Sequence, residues 1–193
     1  MALPQAQGDS IKAYRHHSLD EVVVTGTRNE TDIRHLPMTI SVLNNQQIKS
    51  RYEQSLLPVI SEQVPGVFVT SRGVLGYGVA AGSSGGIKIR GIGGSPTTGV
   101  LVLIDGHPQY MGLMGHSVAD SYQSIMADKV EVVRGPASVL YGSNALGGVI
   151  NIVSRKLKED GGKTDARVSY GSYNTLMSEL SMSNRKGRFS FKI

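Results

Sequence analysis

Residues 129–153 read KVEVVRGPASVLYGSNALGGVINIV. Lys129 to Arg134 alternates as a β-branched strand until Gly135-Pro136 breaks it, since proline removes a backbone donor and fixes φ. Ala137 to Tyr141 is a short helical or turn piece closed by Gly142, and Gly147-Gly148 lead into a second β-branched run, Val149 to Val153. Glycine permits the sharp reversals this requires. The stretch predicts two buried strands joined by a compact, tightly turned connection.

Upstream, Thr39 to Leu43 is a strand following Pro37. Asn44 or Asn45 can N-cap a helix through Tyr52, and a second helix over Leu56 to Val64 carries Pro58 in its first turn and ends at Pro65-Gly66. Val67 to Ser71 alternates as a strand. Ile87 to Arg90 and Val100 to Ile104 are further strands, stopped by Gly91 and by Asp105-Gly106. Ser117 to Ala127 reads as a helix leading into the decisive stretch. Thirteen of the 24 glycines fall between Gly73 and Gly115, so the middle of the chain is rich in loops and tight turns.

Hydrophobic content of 39% and charged content of 18% suit a folded chain. With no Trp and three Phe, the core has to be built from Val, Ile and Leu. No cysteine is present, which excludes disulfides and thiolate metal sites. No apolar run approaches a transmembrane helix, and MALPQAQGDS lacks the apolar segment of a signal peptide, so export would require a signal already removed or replaced. The net charge of +5 lies entirely beyond Ser154: residues 1–154 carry 11 basic and 11 acidic side chains, residues 155–193 nine and four. The first 154 residues hold no aromatic-interleaved basic patch, which argues against nucleic acid as a partner.

After Arg155 the composition changes. KLKEDGGKTD is a charged linker, and strands of another style follow. Ala166, Val168 and Tyr170 alternate with Arg167 and Ser169; Leu176, Leu180 and Met182 with Met177, Glu179 and Ser181; Phe189, Phe191 and Ile193 with Arg188, Ser190 and Lys192. Turns fall at Gly171 to Asn174 and Asn184 to Gly187. One apolar and one polar face suits strands with lipid on one side and a wet lumen on the other, or an ordinary sheet with one solvated face. The alternation running to Ile193 favours the start of a longer barrel.

The 129–153 stretch resembles the E-x-x-R-G-P-x-S-x-L-Y-G-x-x-A-x-G-G-V-I-N-I signature of plug domains from TonB-dependent outer-membrane receptors, and the resemblance extends over roughly residues 19–193. IKIRG (87–91) followed by VLVLIDG (100–106) is similar to the family's paired central strands. The resemblance implies that Arg90, Glu131 and Arg134 make charge contacts between plug and barrel wall, a role suited to the planar fork of arginine. DEVVVTGTR resembles a Ton box, so Asp20, Glu21, Val22, Val23, Val24 and Thr25 are expected to bind the periplasmic protein TonB by β-augmentation. In the family the loop HPQYMGLMGH rises toward the ligand, which makes His107, Tyr110, Met111, Met114 and His116 ligand-facing candidates. His107, His116, Met111 and Met114 could ligate a metal or haem iron. The favoured reading is a loop whose Met and Tyr side chains pack under the barrel rim, and neither a metal site nor a cofactor is assigned.

Enzymatic signals are weaker. Gly82-Ser83-Ser84-Gly85-Gly86 fits G-x-S-x-G, with Asp105 and His116 following in α/β-hydrolase order, but the motif needs a strand before the serine and a helix after it. Here a Gly/Ala loop precedes it and the strand from Ile87 follows. A secreted serine hydrolase using Ser84, Asp105 and His116 is the alternative reading. Gly91-Ile92-Gly93 lacks the third glycine of a dinucleotide loop, because position 96 is proline.

The expected fold is α+β. A flexible tail (1–18) and a Ton box-like segment (19–28) precede a plug globule around a mixed sheet with short helices (36–155). The first two or three antiparallel strands of an incomplete transmembrane β-barrel follow (164–193). The resemblance implies a non-enzymatic function in the outer membrane: active uptake of a scarce, bulky nutrient such as a siderophore, haem or cobalamin. The partners it implies are TonB, the chain's own barrel, a small-molecule chelate and outer-membrane lipid.

Overall fold

The computed structural model describes residues 23–24, 31–32, 39–70, 86–94, 99–109, 122–157 and 159–193. The expected tail, most of the Ton box-like segment, Ser84, and Tyr110, Met111, Met114 and His116 lie outside these residues. Near the N-terminus, β1 (Val23–Val24) and β2 (Thr31–Asp32) form an antiparallel two-stranded ribbon.

β3 (Thr39–Asn44) runs straight into helix α1 (Asn45–Lys49). The junction is a capping box: the Asn44 side chain accepts from the Gln47 amide and the Gln47 side chain accepts from the Asn44 amide, both at 2.9 Å. The helix stops at Lys49, short of Tyr52, which takes φ +54°. In α2 (Leu56–Gln63) the Ser55 hydroxyl caps the Leu57 amide, and Leu56, Leu57, Val59 and Ile60 are buried. Gly66, at φ +82°, turns the chain into β4 (Val67–Val69).

β4 pairs with β5 (Ile87–Ile89), which pairs with β6 (Ile92–Gly94), giving a small antiparallel sheet. Ile89 opposes Ile92, so Arg90 and Gly91 are the two-residue turn, with φ of +52° and +83°. Positive φ at both positions is the type I′ pattern whose twist matches the flanking strands. Arg90 is therefore a turn residue rather than the last residue of a strand.

β7 (Val100–Ile104) and β8 (His107–Pro108) form a second such hairpin, turned by Asp105 and Gly106 at φ +49° and +82°. With β9 (Ala127–Arg134) and β10 (Gly148–Ser154) they complete a five-stranded mixed sheet in the order β3-β9-β10-β7-β8. Only the β10–β7 pair is parallel. β5 and β7 thus belong to different sheets, which corrects the expectation that IKIRG and VLVLIDG pair with each other.

The helix expected over Ser117 to Ala127 is absent from its described part. Residues 124–126 form a single 3-10 turn and β9 has begun by Ala127. The backbone here is engaged with the α2 entrance instead: the Leu56 amide donates to the Tyr122 carbonyl and the Ser124 amide to the Gln54 carbonyl, each at 2.8 Å. Groups used in that pairing are not free to close helical turns.

β9 and β10 bury side chains on both faces. Val130, Val132, Ile150, Ile152, Val100 and Val102 meet α2, Ile87 and Ile89 in the main core. On the opposite face Val133, Val149, Leu101 and Leu103 lie with Ala137 and Ala145 of the connecting lobe. That lobe contains α3 (Ser138–Tyr141) and is closed by the Gly135 amide on the Gly147 carbonyl (3.0 Å) and the Ala137 amide on the Ala145 carbonyl (2.9 Å). At its exit Gly148 has φ +150°, and a Cβ there would lie 2.3 Å from the Val133 carbonyl oxygen. Only glycine fits.

The last three strands, β11 (Gly161–Gly171), β12 (Thr175–Lys186) and β13 (Phe189–Lys192), form a separate antiparallel meander. The first starts within the expected linker, and the second turn tightens to Gly187-Arg188 because β12 continues to Lys186. β11 and β12, at 11 and 12 residues, have the length that a tilted strand needs to cross a bilayer core.

Candidate functional site

Two arginines converge where the small sheet meets the five-stranded one. The Arg90 amide donates to the Gly66 carbonyl at 2.8 Å, and its side chain lies over Gly66 and reaches toward Gly135. Arg134, at the end of β9, donates from Nη1 to the Pro65 carbonyl at 3.1 Å. A turn of the small sheet and the end of β9 thus bring the Arg90 stem and the Arg134 guanidinium to the Pro65-Gly66 corner, with the Arg90 guanidinium over Gly135. The Arg90 side chain is exposed and Arg134 half-buried.

Glu131 is placed differently. Its side chain is fully buried, on the sheet face opposite Val130 and Val132. Lys129 lies 2.7 Å from one carboxylate oxygen, and the Asn151 amide donates to the other at 3.1 Å. The pairing follows from register: Asn151 stands opposite Glu131, and Lys129 is two residues along on the same face. A buried carboxylate needs such partners, because desolvation without them costs several kcal/mol, on the order of the whole gain from the pair. Of the three charges expected to reach a barrel wall, Arg90 is exposed, Arg134 is half-buried against Pro65, and Glu131 is enclosed in the globule.

Asp105 is also committed. Its carboxylate accepts from the Ser154 amide at 2.9 Å and from the Ser154 hydroxyl at 2.6 Å, with Lys156 at 3.8 Å. Beside it the Gly106 amide donates to the Asn151 side chain. These bonds tie the β7–β8 turn to the end of β10, where the chain leaves the globule. A carboxylate saturated in this way does not orient a catalytic histidine, and the hydrolase reading loses its acid. Asp105 is legible in the sequence as a turn residue, but its grip on Ser154 depends on the parallel β7–β10 pairing. His107 follows on β8 and is exposed. Among the described residues no group of His, Asp and Glu could hold a metal ion.

β11–β13 have two unlike faces. Val168, Tyr170, Leu176, Leu180, Phe189 and Ile193 are exposed, with Val168 at 73% and Phe189 at 85%. The other face carries Asp165 paired with Arg155 at 2.9 Å, Arg167 with Glu179 at 3.3 Å, and Lys192 donating to the Met126 carbonyl at 2.8 Å. Arg155 and Met126 belong to the globule side, so the polar face is the one turned toward the five-stranded sheet. The sequence shows the alternation, but not which face meets the globule.

The model of the TonB-dependent receptor plug domain matches residues 32–149. The iron-regulated outer membrane virulence protein of Vibrio cholerae is 35% identical over 146 residues, covering 71% of this chain and 20% of that protein. The hemin receptor of Yersinia pestis is 37% identical over 136 residues, 70% of this chain and 18% of its own length. The chain therefore spans about a fifth of the length of these curated relatives. The crystal structure of the siderophore receptor PiuA from Acinetobacter baumannii shares the fold at a TM-score of 0.63 and 22% identity, over 88% of this chain and 21% of that one.

Proposed function

Because this chain belongs to the family of TonB-dependent receptor plug domains, we propose that it closes the lumen of an outer-membrane β-barrel and gates active uptake of a scarce, bulky nutrient. The cargo is a siderophore, haem, cobalamin or a similar chelate, and the chain is a transport component rather than an enzyme. The observation that carries this reading is the two-faced meander. Residues 161–193 turn charge toward the globule and an apolar band away from it. Lipid outside and a plug inside account for both faces at once.

In this reading Arg90 and Arg134 face carboxylates of the remaining wall. A local misfit supports it. Type I′ turns favour Asn or Gly at their first position, and a long side chain at φ +52° is poor turn chemistry. Rules of local structure are broken most often where function needs the residue. The guanidinium of Arg90 is what the turn gains. The 107–116 loop supplies contacts to the ligand on the outer side, while the Ton box, Asp20 to Thr25, serves as the handle for TonB in the periplasm. A ligand-dependent shift in Ton box accessibility couples the two ends.

The test uses the handle. If Val23 and Val24 offer main-chain hydrogen bonds to an edge of TonB, Val23→Ile should leave affinity nearly unchanged. Val23→Pro should weaken it at least about tenfold, since proline removes a donor and fixes φ. Titration of the chain against a TonB C-terminal domain measures both. Equal affinity for wild type and Val23→Pro would remove the Ton box from this account.

A further inference from the structure

We propose that the cleft between helix α1 and the first wall strand is an oxyanion seat that ties plug to wall. The cleft has a volume of about 720 Å³. Gln46, Lys49 and Ser50 line it from the plug, Arg155 from the point where the chain leaves the globule, and Asp165 and Arg167 from β11. None of these residues has a part in the proposed coupling to TonB, so loss of TonB binding would leave this proposal untouched.

The charges do not balance locally. Asp165 is shared between Arg155 at 2.9 Å and Lys163 at 3.8 Å, and Glu179 is engaged by Arg167 at 3.3 Å. Three cations (Lys49, Arg155 and Arg167) and one carboxylate (Asp165) line the cleft among the described residues. Among the described residues Lys49 makes no ion pair. Nη1 of Arg155 holds Asp165, while Nη2, like both carboxylate oxygens of Glu179, is shut off from solvent with no hydrogen-bond partner among them. Lys49 is exposed on the cleft wall and offers a charge-assisted donor to an oxyanion, whose several acceptor atoms and opposite charge answer the excess of cations there. Partial desolvation, followed by the charge of Arg155, lowers the pKa of Lys49 from the ordinary lysine value, as expected for a cation still lacking a counter-charge.

The ligand comes from water rather than lipid. Asp165 and Arg167 lie on the polar face of β11, whereas Val168 and Tyr170 expose the opposite face. A lipid headgroup would have to cross the strand to reach Lys49. Two sources of an oxyanion remain: a free inorganic anion in the lumen, or a carboxylate from the rest of the barrel wall.

Sulfate is a suitable probe because its charge stays constant across neutral and alkaline pH. The 193-residue chain in neutral detergent is titrated with sodium sulfate, with sodium chloride at matched ionic strength as reference, following the backbone amide signals of Lys49, Arg155 and Asp165. Saturable shifts with sulfate alone are expected, and Lys49→Gln should weaken binding about tenfold, the loss of one charge-assisted contact. Gln46→Glu places a carboxylate on the cleft wall; it should raise Tm without added anion and abolish the sulfate response. Repeating the titration on a full-length receptor separates the sources: a retained response means a free anion, and a response confined to the 193-residue chain means a wall carboxylate. Equal effects of sulfate and chloride, undiminished binding by Lys49→Gln, or an unaltered response in Gln46→Glu would each overturn the proposal.

Discussion

The five-stranded sheet, rich in Val, Ile and Leu, and the terminal meander, whose apolar positions alternate with polar ones, treat their apolar side chains by opposite rules. In β10 five consecutive residues, Gly148 to Ile152, are buried, because the helices and small sheet cover one face and the 135–147 lobe covers the other. In β11 and β12 no described apolar side chain is buried, and the most exposed face is the apolar one. The first sheet makes its own interior. In the proposed function the second has a bilayer on one face and the plug on the other. A β-branched strand therefore reports that a surface is covered, but not by what.

The sharpest way to break this contrast is to make the same kind of cut in both regions. Ile150→Ala should destabilise the chain by about 2–5 kcal/mol, through lost burial plus a cavity. Leu180→Ala should change unfolding by less than about 0.5 kcal/mol, because its side chain is already exposed. Denaturant melts in neutral detergent measure both, and similar losses would mean that the meander has a protein core of its own. Gly148→Ala comes next, at roughly 2–3 kcal/mol from positive-φ strain and overlap with the Val133 carbonyl. A loss under about 0.5 kcal/mol would show that the lobe at the β9–β10 connection is not fixed by that contact.

Arg134→Gln should have a smaller effect. The bond to the Pro65 carbonyl puts the expected loss at about 1 kcal/mol in the isolated chain. Uptake by a full-length receptor carrying the substitution should fall much further than that loss of stability explains; full uptake would end the barrel-contact role.

The smallest effect concerns pH. In the fold the Lys49 pKa lies below 10.5, from desolvation and then Arg155, with Lys163 and Arg167 adding to the lowering and Asp165 opposing it. The unfolded chain therefore binds more protons between the two values, so stability rises slightly with pH across that window and is flat below it. Any sulfate stabilisation should fade over the same window. Thermal melts with and without sulfate test this, and Lys49→Gln should flatten both trends.

Much of this was written locally. Asn44 and Gln47 specify their helix start through their own side chains, and the GP, GG and DG dipeptides specify turns through backbone restriction alone, so capping and turns were readable without knowing any partner. The alternation after residue 163 likewise announced a two-faced sheet. Other features depended on which strands meet. The separation of β5 from β7, the strand-like pairing of residues 122–126 ahead of β9 instead of a helix, the enclosure of Glu131 by Lys129 and Asn151, and the grip of Asp105 on Ser154 all join residues far apart in the chain or depend on register. Periodicity fixes which side of a strand a residue occupies. Only the packed neighbours decide whether that side holds water, lipid, a core or a buried charge.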